Sequence, residues 1–234
     1  MHLYVGGGTV TGLIGPNGAG KSSLFDVISG VQRPDSGTIR LAGRAVTGLP
    51  PHRLARLGLM RTFQLSRELE RMTVLENLMV SPQHQLGERF WPNFLRPATI
   101  RGEEARVYTR AAEIMEFVGL RPLIDEYAGN LSGGQKKLLE LGRALMTDCG
   151  IVLLDEPGAG VNRTLMGKLI EIIRTVNRDR GVTFLIVEHD MDLIARVCDP
   201  IVVMAAGRRL TAGPFETIRQ DPQVVRAYLG GGAA

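Results

Sequence analysis

Cysteine is scarce in this chain: Cys149 and Cys198 are the only two in 234 residues, far apart and without metal-type spacing. A disulfide scaffold and a thiolate metal site are excluded, and both residues are expected as small buried apolar filler in a reduced, cytosolic protein. Long apolar runs are missing too. The longest, Val182–Val187 and Ile201–Ala206, fall well short of the roughly 18 residues needed to cross a bilayer. Action at a membrane would therefore need a partner there. The opening MHLYVGGGTV has no basic flank leading into an apolar stretch, so it does not read as a secretory signal. Lysine is nearly absent as well. The basic residues behind the net charge of +4 are arginines apart from Lys21, Lys136, Lys137 and Lys168. No basic stripe interleaved with aromatics occurs, so no nucleic-acid partner is expected.

What is present fits one large globular domain carrying an inserted subdomain. Thr9–Ile14 is a short apolar strand, followed by the loop Gly15–Gly20 and a helix over Ser22–Ser29 that Gly30 ends. Thr38–Leu41 and Arg61–Phe63 read as strands and Pro51–Leu57 as a short helix. Strand–loop–helix units recur at Ile151–Asp155 and Val182–Glu188, apolar throughout as in a parallel sheet covered on both faces. Between these halves the period changes: Val74–Val80, Glu103–Val118 and Lys136–Met146 are helical, and Ser81–Pro97 is irregular. The fold class is thus α/β, with a core at 1–73 and 146–234 and a mostly helical subdomain at 74–145. Gly230–Ala234 reads as a frayed tail.

Lysine scarcity draws attention to Lys21, which stands in Gly15-Pro16-Asn17-Gly18-Ala19-Gly20-Lys21-Ser22, with Ser23 next. Glycines let backbone N–H groups wrap a polyphosphate at the positive end of the following helix. Lys21 would reach the β- and γ-phosphates, and the Ser22 hydroxyl would ligate Mg²⁺. A second signal is the strand Ile151-Val-Leu-Leu, which delivers Asp155 and Glu156 at its C-terminal end, where open α/β sheets place ligands. Asp155 suits Mg²⁺ through water, and Glu156 suits a base or orienter for the attacking water. A third is Leu131-Ser132-Gly133-Gly134-Gln135 ahead of a leucine-rich helix, another anion site at a helix start.

With that third motif the sequence resembles the ATP-binding cassette family, in which Leu-Ser-Gly-Gly-Gln is the signature. The resemblance implies a P-loop NTPase core, its parallel sheet flanked by helices, plus the helical subdomain. It also implies ATP and Mg²⁺ as cofactors and a dimer with a second such subunit, identical or not. In that family one subunit's signature closes over the nucleotide held by the other's phosphate loop. Gln64, in Arg61-Thr-Phe-Gln, looks like the glutamine that touches Mg²⁺ or the attacking water. His189, after Phe184-Leu-Ile-Val-Glu, looks like the switch histidine on the γ-phosphate. Gly158–Asn162 stands in the place of the family's D-loop, with Asn162 where many members have aspartate.

Several phrases resemble ATPase subunits of branched-chain amino acid importers: Leu49-Pro-Pro-His-Arg-Leu-Ala-Arg-Leu-Gly, Val187-Glu-His-Asp-Met, Cys198-Asp-Pro-Ile-Val-Val and Asp221-Pro-Gln-Val-Val-Arg-Ala-Tyr-Leu-Gly. That resemblance implies integral membrane permease partners, indirectly a substrate-binding protein, and a peripheral place on the cytoplasmic face of the inner membrane. An ATPase of a lipopolysaccharide-type exporter or a soluble non-transport cassette stays open at this point, as does a nucleotide-binding cassette with only a regulatory role. One departure stands out: family members carry strands and an adenine-stacking aromatic well before the loop lysine, and here the first strands look to be missing. Stacking a base on an aromatic contributes about 1–3 kcal/mol, so weakened nucleotide affinity and an exposed sheet edge are expected, with Tyr4 serving as a packing residue. A start site set too far downstream would explain this, and restoring the upstream codons would then tighten ATP binding. The aromatics Phe90, Trp91 and Phe94 read as either the subdomain's own core or a patch for a membrane partner.

Overall fold

In the computed structural model, residues 1–62, 67–82 and 97–229 are described. Packing divides the chain into two compact units: Met1–Thr62, Cys149–Ala159 and Ile173–Ala234 in one, Phe63–Asp148 and Gly160–Ile172 in the other.

The first unit is built on a six-stranded sheet. Its strands are β1 (Val10–Ile14), β4 (Leu59–Arg61), β5 (Ile151–Asp155), β6 (Thr183–Val187), β7 (Ile201–Ala205) and β8 (Arg208–Gly213), in the order β4-β5-β6-β1-β7-β8. β1 is central and parallel to both neighbours, pairing Val10 with Phe184 and Gly12 with Ile201. All five residues of β1 and of β6 are buried, because helices cover both faces. On one face, Phe25 of α1 (Lys21–Ile28) packs into a cluster with Leu13, Leu153 and Leu185. On the other, a Cβ added to Gly12 would meet Cys198 Cβ at 3.0 Å and Ile194 Cδ1 at 3.2 Å. Cys149 and Cys198 are both buried, as small apolar filler should be.

The sheet is mostly parallel, as expected, and its edge strand β8 runs antiparallel to β7. The cause is the turn, where Ala206 and Gly207 have φ of 47° and 73°, the paired positive values of a tight hairpin. Thr38–Leu41 shortens to β2 (Arg40–Leu41), hydrogen-bonded as a small separate hairpin to β3 (Arg44–Ala45). The strand expected at Arg61–Phe63 lies at Leu59–Arg61 instead, and Phe63 falls outside the described residues. Tyr4 is not a packing residue, being 83% exposed. Leu3 and Val5 are the ones packed against the core, and alternation along an extended segment turns the residue between them outward.

In the second unit, α4 (Val74–Met79), α5 (Pro97–Val118) and α6 (Gly133–Met146) pack on one another. Thr73 and Glu76 form a capping box at the start of α4. Gly142 of α6 permits the close approach, since a Cβ there would lie 3.2 Å from Leu78 Cδ2 and 3.4 Å from Ile114 Cγ2. α2 (Pro51–Arg56), α3 (Arg67–Glu70), α7 (Arg163–Arg180), α8 (Met191–Val197), α9 (Phe215–Gln220) and α10 (Pro222–Leu229) complete the described elements of regular helix. No helix among the described residues is long and apolar enough to cross a membrane. Phe90, Trp91, Phe94 and the segment Gly230–Ala234 lie outside the described residues.

Phe184 is fully buried at the heart of the sheet. Phe184→Ala should cost about 3–5 kcal/mol, part transfer and part cavity, read as a lower urea midpoint; an unchanged midpoint would place this ring outside the stability core.

Candidate functional site

The loop between β1 and α1 has the conformation its glycines permit. Gly15, Gly18 and Gly20 have φ of 151°, 76° and 92°, values that L-residues with a Cβ rarely adopt. At Gly15 there is no room either, since a Cβ would sit 2.1 Å from the carbonyl oxygen of Met204. Ala19 is the one inward anchor, 2% exposed in the core cluster, and its carbonyl accepts from Gly207 N at 3.1 Å. Pro16 is half-buried, while Asn17, Gly18, Ser22 and Ser23 are exposed along the loop and first helical turn. Gly20 caps α1 without any side-chain hydrogen bond, so the first amides of the helix have no side chain in front of them, as an anion site requires.

Lys21 is 6% exposed. Its Nζ donates to the carbonyls of Gly15 at 2.7 Å and Pro16 at 3.0 Å. Burial pushes its pKa below the ordinary value, and the charge of Glu156 partly offsets this. The loop lysine and the acidic pair therefore share one electrostatic site. Asp155, at the end of β5, accepts from Arg61 Nη2 at 2.8 Å. Glu156 follows with φ of 47°, an uncommon conformation for a residue with a side chain, held by its N–H donating to Val187 O at 2.9 Å. His189 Nε2 lies 3.2 Å from Glu156 Oε1. The structure thus brings Lys21, Asp155, Glu156 and His189 together in the first unit. Gln64 lies outside the described residues.

The second unit holds Leu131–Gln135. Ser132 caps α6, accepting from Gln135 N at 3.4 Å while its own N–H donates to Gln135 Oε1 at 2.8 Å. A hydroxyl used as acceptor still has its proton to donate. Leu131 is buried, Ser132 and Gly133 are exposed, and Gly134 is packed so closely that a Cβ would lie 2.7 Å from Leu165 Cδ1. Asn162 accepts from Leu165 N at 3.0 Å and so caps α7.

Two residues that sequence reasoning did not single out are tied into the first unit's site. Glu188, 3% exposed, accepts from Gly158 N and from His189 N, each at 2.9 Å. One carboxylate thus pins the backbone at both Gly158 and His189. Its signal was an acidic residue closing the apolar run of β6. The other is Arg61, which the sequence offered only as part of a family phrase.

A divalent ion fits this donor set. Among the described residues no three His, Cys, Asp or Glu side chains form a metal cage. Mg²⁺ with nucleotide needs none, because it is held by one or two protein oxygens plus substrate phosphates and water. The Ser22 hydroxyl is exposed on the first turn of α1 and the Asp155 carboxylate is half-buried.

Comparison with known proteins gives a consistent result. The ABC transporter family profile matches residues 1–159, and one described as branched-chain amino acid ATP-binding cassette transporter matches residues 208–234. A probable branched-chain amino acid transport ATP-binding protein LivG of Archaeoglobus fulgidus is 42% identical, over 98% of this chain and 88% of that protein. The high-affinity branched-chain amino acid transport ATP-binding protein LivG of Escherichia coli is 39% identical, over 94% and 87% respectively. Among solved structures, an ATP-binding cassette of an ABC transporter in its ADP conformation superposes with a TM-score of 0.82 at 39% identity. That match covers 97% of this chain and 89% of the other.

Burial raises the Glu188 pKa above the ordinary carboxylate value, and its two backbone hydrogen bonds only partly offset this. The native state therefore keeps this proton to higher pH than the unfolded chain does. Its contribution to stability is full below the unfolded value and declines as pH rises through the native one. Glu188→Gln should flatten that decline. It should also leave one of the two N–H donors facing an amide NH₂, at a cost of about 1–3 kcal/mol, and slow turnover because His189 is less firmly held. Urea midpoints across acidic pH, together with ATPase rates, check this; wild-type values in both would remove Glu188 from the site.

Proposed function

The chain belongs to the ABC transporter family, and from that premise we propose that it powers uptake of branched-chain amino acids or similar small polar solutes. It is a transporter ATPase, and it binds and hydrolyses ATP. The observation that carries the mechanistic reading is the cluster at the end of β1 and β5: Lys21 folded over its own loop, with Glu156 near enough to act on its charge and His189 on Glu156.

Each residue then has a task. The amides of Gly15–Ser23 and the Lys21 ammonium hold the β- and γ-phosphates, Lys21 leaving the carbonyls of Gly15 and Pro16 to do so. Ser22 and Asp155, with Gln64, hold Mg²⁺, which supplies charge neutralisation on the phosphates when bound. Glu156 accepts the proton of the attacking water, and His189 orients Glu156 and the γ-phosphate. Catalysis is placement and electrostatics rather than covalent chemistry.

Leu131–Gln135 caps the nucleotide of a second subunit, the start of α6 presenting the Ser132 hydroxyl and the amides behind it. ATP favours the closed pair because only its γ-phosphate satisfies both helix starts at once. Residues 74–145 act as the signature subdomain that passes closure to permease subunits, which place the ATPase at the cytoplasmic face of the membrane. Import of branched-chain amino acids is supported by the cassette profile over residues 208–234 and by the names of the relatives.

Glu156→Gln should bind ATP, lose turnover by about 100-fold or more, and accumulate a dimer on size exclusion; brisk hydrolysis by this variant would take the general base away from Glu156. For the substrate, the ATPase reconstituted with its permeases and binding protein should be stimulated by leucine, isoleucine or valine. Stimulation by other solutes alone would overturn the import reading.

A further inference from the structure

Arg61 ends β4 with its side chain only 10% exposed. One guanidinium nitrogen, Nη1, donates to Asp26 Oδ1 at 2.6 Å and to Ser29 Oγ at 3.1 Å. The other, Nη2, donates to Asp155 Oδ2 at 2.8 Å. The guanidinium also lies over the Phe25 ring, 5.6 Å from its centroid. Ser29 is itself fixed, its hydroxyl donating to Phe25 O at 2.7 Å. A single planar group therefore joins two elements: α1, which follows the phosphate loop, and β5, which delivers the acidic pair.

The place of Asp26 on α1 gives this bridge its meaning. Asp26 stands four residues after Ser22, one turn further along the same face of the helix. Arg61 thus reaches the helix face that carries Ser22 and the strand end that carries Asp155. The Ser22 and Asp155 groups, read as the metal side of the site, are thus one turn and one hydrogen bond from Arg61 or its partners.

We propose that Arg61 is a positioning residue for the metal side of the nucleotide site: by holding Asp26 and Asp155 on one guanidinium, it sets the spacing between the Ser22 hydroxyl and the Asp155 carboxylate. Arginine is the residue such a task needs, because its rigid fork engages two carboxylates in different directions at once. A lysine ammonium is a point charge on a flexible stem. Burial works against the charge of Arg61, yet hydrogen bonds and charge from Asp26 and Asp155 more than offset this and raise its pKa. The guanidinium is therefore a permanent cation. It orients the Asp155 carboxylate by donating to Oδ2.

This inference rests on the reading of Ser22 and Asp155 as metal-side groups. The test is titration of purified full-length chain with a fluorescent ADP analogue, in EDTA and across a Mg²⁺ series. Wild type should bind more tightly as Mg²⁺ rises. In Arg61→Gln and Arg61→Lys the Mg²⁺ midpoint should rise by about tenfold, as for other partners that orient metal-binding side chains, with EDTA affinity unchanged. Failure of Arg61→Lys to restore the midpoint would assign the effect to fork geometry rather than charge. Asp26→Asn, a change on the half-buried helix side, should raise the midpoint in the same direction by less. It decides the matter should the arginine variants not fold. An unchanged or lowered midpoint in a folded variant overturns the proposal, and so does restoration by Arg61→Lys. Absence of any Mg²⁺ effect in wild type would instead sink the metal-site reading beneath it.

Discussion

A lysine ammonium buried at the end of a central strand has to find oxygen, and here it finds the carbonyls of its own loop. Lys21 on Gly15 and Pro16 is the contact on which the site's geometry turns. The loop can curl back far enough only because Gly15 presses against Met204 O where no side chain would fit. It holds its place only because Ala19 is anchored in the core and bonded to the β7–β8 turn through Gly207. Burial holds the Lys21 pKa below its ordinary value despite the charge of Glu156, and phosphate oxygens are better partners for this ammonium than peptide carbonyls.

Much of this was legible in the residues. The phosphate loop, β5 and the helices of the second unit lie where glycine spacing, apolar runs and helical period put them, because each is dictated by local chemistry. What escaped was non-local. β8 has no apolar run of its own, its middle being only half-buried, and its pairing depends on a two-residue turn rather than on pattern. Tyr4 was read as packed because aromatics usually are, but alternation with Leu3 and Val5 decides otherwise. Arg61 and Glu188 could not be found by motif. Their meaning lies in partners 35, 94 and 30 residues away in sequence.

The two helix starts proposed to share a triphosphate are built differently, and the difference suits their tasks. α1 has no side-chain cap, leaving its first amides to a ligand held tightly within one chain. α6 has a complete capping box between Ser132 and Gln135. A capped start is stable by itself, and offers a hydroxyl proton and the remaining amides rather than a bare row of N–H groups. Such an end can meet and leave a phosphate without the helix fraying between encounters. The proposed cycle of closing and opening needs one gripping end and one releasable end.

Charge explains why the gripping end is not enough. Around the first unit's site stand Asp26, Asp155, Glu156 and Glu188, and the cations that face them are Lys21 and Arg61. Arg61 is already committed to two carboxylates. Among the described residues, Lys21 is the fixed cation there left to meet incoming phosphates, while the charge of Glu156 acts on the same site. A triphosphate entering such a site brings more negative charge than one ammonium and a helix end can balance. In the proposed site the balance comes from a divalent ion on the Ser22–Asp155 side and from a second helix start on the γ-phosphate side. The proposed pairing with a second subunit thus follows from how acidic the first unit's own site is.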